Sequence, residues 1–254
     1  MVGSGCASTA DSQPPSLALA DESSITVAPA ATTDAPTTVA PATTTVVPTT
    51  TDAPTTTVAP DPLRTWVATA KSEVTHLVAY DAPGGNVVPM EFLVPNPHQF
   101  GGPLTLMVTS GEPGDAWVEV QLPIRPNSQV GWIDASLYDI AGTRVRAEVD
   151  LTEHRVTVYD GEEIIAETDA VVGKSASPTP LGTFSIAAKR KNPPEESYIG
   201  PWALALSAYS EVYETFSGGI PVIAIHGTNR PGQVGQSLSN GCIRIPNDVV
   251  TFLA

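Results

Sequence analysis

A mainly β chain behind a disordered N-terminal stalk is what this sequence predicts, and three observations predict it. The first 62 residues hold no Lys, no Arg and no aromatic residue, and Thr, Ala, Pro and Val dominate them. From residue 63 onward, short apolar runs alternate with Pro, Gly and Asn, the punctuation of strands and turns. No window reaches the roughly 18 consecutive apolar residues of a membrane-spanning helix.

The stalk, residues 1–62, buries too little apolar surface to offset the entropy of ordering it. It carries an internal repeat: T-T-D-A-P-T-T-V-A-P at 32–41 returns as T-T-D-A-P-T-T-T-V-A-P at 50–60. A repeat this short is a spacer rather than a solenoid unit. Thr/Pro composition of this kind suits O-glycosylation. At its start stands M-V-G-S-G-C-A-S, whose small residues before Cys6 resemble the cleavage box of a bacterial lipoprotein. That resemblance implies a lipid anchor at Cys6. The basic and apolar parts of a signal peptide are missing, so either the true start lies upstream or Cys6 is incidental.

Residues 63–140 read as a small all-β module. The segments W-V-E-V-Q-L-P (117–123) and V-G-W-I (130–133) resemble the closing strands of a bacterial Src-homology-3-like barrel. That resemblance implies a module that binds cell-wall peptides. Ordinary strand packing of Trp117 and Trp132 is the simpler account. A linker near Ile140–Arg146 is expected next. Beyond it, candidate strands are Arg155–Tyr159, Ile164–Val172, Gly182–Ala188 and Ile220–His226. Pro201–Ser210 is either a strand or a loop over substrate. Asn247–Leu253 reads as a short helix with Asn247 or Asp248 near its cap.

The formal net charge is −15, with six acids and no bases before residue 63. Phosphate binding needs a basic surface, so a nucleic-acid partner is disfavoured. Two cysteines, one near each end, do not form a disulfide framework. His76, His98 and His154 are widely scattered, and no second cysteine lies near Cys242, so zinc-ligand spacing is absent. No metal or cofactor is expected.

Chemistry concentrates in one stretch. I-P-V-I-A-I-H-G-T (220–228) reads as a buried strand ending in His226, and S-N-G-C-I-R-I-P (239–246) follows with Cys242. A thiol attacks as its thiolate, so Cys242 needs a base near neutral pH. His226 can take that proton and return it to a leaving amine. The backbone N–H groups of Gly241 and Cys242, with Asn240, are candidates for an oxyanion hole. No acid lies near His226 in sequence, so the Gly227 carbonyl is the candidate acceptor that orients its ring. Against this stands the plain alternative of a small buried cysteine and a hydrogen-bonded histidine.

H-G-T-N at 226–229 followed by S-N-G-C-I-R at 239–244 resembles the signature of L,D-transpeptidases with a YkuD-type catalytic domain. V-G-K-S-A-S-P-T-P-L-G-T-F at 172–184 is similar to the family's Thr-Pro-x-Gly-x-Phe segment, and H-R-V-T-V-Y-D-G-E-E-I-I at 154–165 to its opening hairpin. The resemblance covers roughly residues 144–254 and implies a YkuD-like β-sandwich with short helices. It implies Cys242 as acylated nucleophile, His226 as proton donor and acceptor, Gly227 as the carbonyl orienting His226, and Gly241 in the oxyanion hole. It implies Arg244 and Ser239 at the substrate-binding side of the motif. Asn240 departs from the family, which commonly has a second histidine there, and Asn cannot titrate. The chain stops 12 residues past Cys242, where the family usually continues, so a C-terminal truncation is expected.

The activity so implied is peptidoglycan cross-linking between stem peptides through a cysteine thioester, in the cell envelope or periplasm. Carbapenem-type β-lactams are the implied inhibitors. Two alternatives stay open on sequence: an L,D-carboxypeptidase that uses water as acceptor, and a degenerate domain that binds cell-wall peptides.

Overall fold

The computed structural model describes Asp61 and residues 63–254. Apart from Asp61, the stalk, with Cys6, therefore lies outside the described residues. The first sheet comprises β1 (Thr65–Ala70), β2 (Thr105–Ser110), β3 (Trp117–Gln121), β4 (Val130–Asp134) and β5 (Tyr138–Thr143), in the order β4-β3-β2-β1-β5. All its pairings are antiparallel. Alternate residues turn inward: Leu106, Val118, Val120 and Ile133 are fully buried, joined by Leu104 and Leu122 from the flanking loops. Each such side chain contributes about 1.5–3 kcal/mol relative to exposure. Trp117 packs edge-on against Tyr80, ring centres 5.2 Å apart, which is a packing role.

The expected linker over Ile140–Arg146 is not a linker. β5 ends at Thr143 and β6 (Val145–Asp150) starts after Arg144 alone. Both flanks are committed to ladders, β5 to β1 and β6 to β7 (Arg155–Asp160). With β8 (Glu163–Asp169), these make a three-stranded meander β6-β7-β8 that buries Val156 and Val158.

The rest builds the site. The strands are β9 (Val172–Gly173), β10 (Ile186–Lys191), β11 (Trp202–Tyr209), β12 (Val222–His226), β13 (Ser237–Ser239) and β14 (Ile243–Arg244), followed by α1 (Asn247–Leu253). A four-stranded sheet runs β10-β11-β12-β14, and β9 pairs with β13 in parallel. Ile225 and Ile243 face a core shared with Val156, Val158, Leu204, Ile245 and Val250.

Two expectations change here, and two are made specific. The run Ile164–Val172 divides between β8 and β9, because Val171 leaves the meander to exchange backbone bonds with Arg244 (2.8 and 2.9 Å). The strand expected from Gly182 starts only at Ile186, since Gly182 sits at φ +136° and is no strand residue. Pro201–Ser210 is strand, not a covering loop. The helix occurs where expected, but neither Asn247 nor Asp248 caps it. Pro246 holds the N-cap position, and the Asn247 amide oxygen instead accepts the Thr228 N–H at 2.8 Å.

The first sheet is bonded directly to β11 and to the loop before β10. The Gln121 side chain donates to the Thr183 carbonyl (2.6 Å) and accepts from the Ser207 hydroxyl (2.7 Å), and the Tyr209 hydroxyl donates to the Pro123 carbonyl (2.7 Å). Among the described residues no helix is long and apolar enough to cross a membrane.

Candidate active site

β12 and β14 are parallel neighbours, with Ile225 opposite Ile243 and His226 opposite Arg244. Continuing that register by one step sets Cys242 beside Ala224. Side chains opposite one another in a parallel pair share a face, and alternate residues along a strand return to it. Cys242, Arg244 and His226 therefore project from one face, while Ile225 and Ile243 enter the core. The Cys242 and His226 backbones stand about 4.8 Å apart across the sheet and about 6.6 Å along it. The sequence separation of 16 residues is thus closed by a single parallel pairing.

His226 is buried, 6% exposed. Its Nδ1 donates to the Gly227 carbonyl at 2.7 Å. That bond leaves Nε2 as the basic nitrogen. Burial lowers the imidazole pKa to about 4, and the positive charge of Arg244 acts in the same direction; bonds to the Gly227 and Ile199 carbonyls oppose it. The ring is neutral near pH 7. Gly227 is a glycine because of crowding: a Cβ there would come within 2.3 Å of the Asn247 amide oxygen and 2.9 Å of the Gly200 Cα.

Cys242 is a free, half-buried thiol. Burial pushes its pKa up, while the Ala224 backbone N–H and the Arg244 charge favour the thiolate. A neutral thiol and a neutral imidazole therefore share one face, so the thiolate forms when the proton moves. Arg244 reaches Gln233 at 3.4 Å.

The turn before the thiol is tightly held. Ser239 is fully buried; its hydroxyl donates to the Cys242 carbonyl (2.6 Å) and accepts the Gly241 N–H (3.1 Å). The expectation that Ser239 faces substrate is therefore corrected: it closes the turn. The Gly241 N–H, expected in the oxyanion hole, is committed to Ser239. The remaining donors of that expected set are the Cys242 N–H and Asn240. The Asn240 amide oxygen accepts from the Tyr213 hydroxyl (3.3 Å) and shares the single Ser177 hydroxyl proton with the Ser239 carbonyl (both 3.5 Å), which leaves Nδ2 as the available donor.

The family model for the L,D-transpeptidase catalytic domain, YkuD, matches residues 144–254. Over residues 144–254 the chain is similar to that family's catalytic domain. Two Bacillus proteins called YkuD, both named as candidate L,D-transpeptidases, are similar to this region. The B. licheniformis protein is 33% identical over 110 residues, covering 43% of this chain and 58% of its own. The B. subtilis protein is 38% identical over 107 residues, covering 42% and 56%. The chain thus spans little more than half the length of these relatives. An L,D-transpeptidase structure from Mycobacterium smegmatis aligns over 58% of this chain and 92% of its own, at 18% identity and a TM-score of 0.34.

Within residues 144–254, sequence reasoning missed Thr179, Ser177 and Tyr213. Thr179 is 7% exposed. Its hydroxyl accepts the Gly173 N–H (3.0 Å) and donates to the Gly241 carbonyl (2.8 Å). In a trans peptide the C=O and the following N–H point in opposite directions. Thr179 therefore fixes the direction of the Cys242 N–H. The Thr-Pro pair of the 172–184 segment was the available signal, but sequence spacing cannot show which atom it serves. Thr179→Val keeps the shape and removes both bonds. We expect a stability loss of about 1–3 kcal/mol and roughly tenfold slower reaction at Cys242, both recovered in Thr179→Ser. Denaturant unfolding and acylation kinetics check this; a valine variant with wild-type rate and stability would remove Thr179 from the account.

Among the described residues no three His, Cys, Asp or Glu side chains gather as metal ligands.

Proposed function

We propose that this domain is a peptidoglycan L,D-transpeptidase working through a thioester on Cys242. The observation that supports this best is the shared face of Cys242 and His226, with the imidazole locked on the Gly227 carbonyl. His226 Nε2 takes the thiol proton, and the sulfur attacks the carbonyl of the L-centre before the terminal D-alanine of a stem peptide. Negative charge on the carbonyl oxygen is met by the Cys242 N–H, with Asn240 Nδ2 as second donor. The C–N bond breaks, D-alanine leaves with the proton from His226, and a thioester remains. The side-chain amine of a second stem attacks it, its proton passes to His226, and the thiol returns. The substrate places the protein outside the cytoplasm, in the cell envelope.

Intact-mass analysis after incubation with a carbapenem tests the reading. An adduct on the wild type and none on Cys242→Ala is expected. A folded wild type that takes no adduct would count against it. Product analysis with stem tetrapeptides then separates the two acceptors: cross-linked dimer for an amine, tripeptide for water.

The neutral resting pair also predicts a pH profile. His226 must be unprotonated to act, and burial keeps it so down to about pH 4. Acylation should stay nearly flat from about pH 8 to about pH 5 and fall only below that. An acid limb centred near 6.5, the ordinary histidine value, would show a solvated imidazole in the working enzyme.

A further inference from the structure

We propose that Tyr213 is a positioning residue for Asn240, and that the β1–β5 sheet holds Tyr213 in place through Arg125 and Asn127. The catalytic consequence rests on the reading of Cys242 as nucleophile.

The segment Ser210–Ile220 joins β11 to β12, and nearly all of it is exposed. Tyr213 is the half-buried exception in its middle. Its hydroxyl donates to the Asn240 amide oxygen at 3.3 Å, and its N–H donates to the buried Ser210 hydroxyl at 3.2 Å. Its ring lies 5.7 Å from that of Phe216, so the segment folds partly on itself.

Two residues of the first sheet's β3–β4 connection fix this segment from outside. Asn127 acts as an extra strand partner at its root: Nδ2 donates to the Tyr209 carbonyl, and Oδ1 accepts the Tyr209 N–H, both at 2.9 Å. Arg125 acts at Tyr213 itself, with Nη1 donating to the Tyr213 carbonyl at 3.3 Å. The rest of that guanidinium is gripped by Glu91, Nε to Oε2 at 3.1 Å and Nη2 to Oε1. A planar guanidinium divided between two acceptors carries direction as well as charge. The path Glu91–Arg125–Tyr213–Asn240 thus crosses from one sheet to the turn that bears Cys242 through consecutive bonds.

The consequence follows from the amide. Asn240 cannot titrate, so it serves the site only by where its Nδ2 points. Tyr213 holds its oxygen at 3.3 Å, while the one Ser177 proton at 3.5 Å is shared with the Ser239 carbonyl. Loosening Tyr213 frees the amide to rotate away from the reacting carbonyl. On this account the upstream sheet is a working part of the catalytic site, not an appendage beside it.

The test uses the full chain with Tyr213→Phe, Arg125→Gln, the double variant, and Tyr213→Phe in an Asn240→Ala background. Imipenem acylation of Cys242 should slow about tenfold in each single variant, the effect of one directed hydrogen bond. The double variant should be no slower than the slower single, because both changes cut one path. Tyr213→Phe should have no further effect once Asn240 is alanine. Iodoacetamide alkylation, which needs the thiol but not the amide, should be unchanged by Tyr213→Phe. Hydrogen exchange of residues 213–219 should quicken about tenfold in Arg125→Gln while β11 and β12 keep their protection. Wild-type acylation in Tyr213→Phe, multiplying losses in the double variant, or unchanged exchange in Arg125→Gln would overturn the proposal. A wild type that takes no imipenem adduct would overturn the nucleophile reading, and the exchange comparison would still decide whether Arg125 holds the segment.

Discussion

Replacing His226 with alanine is expected to slow acylation of Cys242 by about 10²–10⁴-fold, the range for loss of a positioned general base. The reason is local. Burial pushes the Cys242 thiol up, so at neutral pH it cannot attack until its proton is taken. The Ala224 N–H and the Arg244 charge help the thiolate but accept no proton. His226 is fit for that task because the Gly227 carbonyl fixes its tautomer and burial keeps it neutral. Carbapenem acylation followed by mass across pH reads the effect. Hydroxide replaces the missing base at high pH, so the variant should partly recover there. A variant acylating at the wild-type rate near pH 7 would assign the proton elsewhere. Denaturant unfolding of the same sample separates a lost base from a lost fold.

Gly241→Ala should be nearly as damaging, with a rate loss of about 10²–10³-fold, comparable to removing an oxyanion donor. Two constraints coincide at this residue. Its φ is +115°, a region that L side chains rarely adopt, and a Cβ there would lie 2.8 Å from Ile223 Cδ1 and 3.4 Å from the Pro178 carbonyl. Ile223 is 2% exposed, so its side chain has no open space to swing into. The turn would relax instead, and the Gly241–Cys242 peptide with it. That peptide carries both the Thr179 bond and the N–H proposed as an oxyanion donor. Stability should also fall, by about 1–3 kcal/mol for overpacking. A stable Gly241→Ala protein acylated at the wild-type rate would show that this peptide's direction does not matter.

The glycine at 227 is a different case. Its constraint is the approach of Gly200 and Asn247, which no local pattern announces. Sequence reading selected Gly227 for its carbonyl, and the structure adds that its missing side chain lets another loop pass against it. Asn247 was read as a residue near a helix cap because of its position. Its amide goes to Thr228 instead, since an orphan N–H beside His226 lies within its reach.

Sequence by itself selected the candidate chemistry and much of the local structure. A cysteine after Ser-Asn-Gly, a histidine ending an apolar run, and the 172–184 segment selected the residues to watch. The apolar run ending in His226 located β12, the 154–165 segment located β7, and an apolar run before the chain end located α1. Those features depend on residues adjacent in the chain, so they are legible there. The tertiary structure decided which hydrogen bonds the site residues spend. It paired β12 with β14 in parallel and so set Cys242 and His226 on one face. It committed the Gly241 N–H and Ser239 to the turn, brought Thr179 to the Gly241 carbonyl, and ran the upstream sheet through Arg125 to Tyr213. Each of these joins atoms far apart in sequence, where a donor's partner is fixed only by the packing of whole sheets.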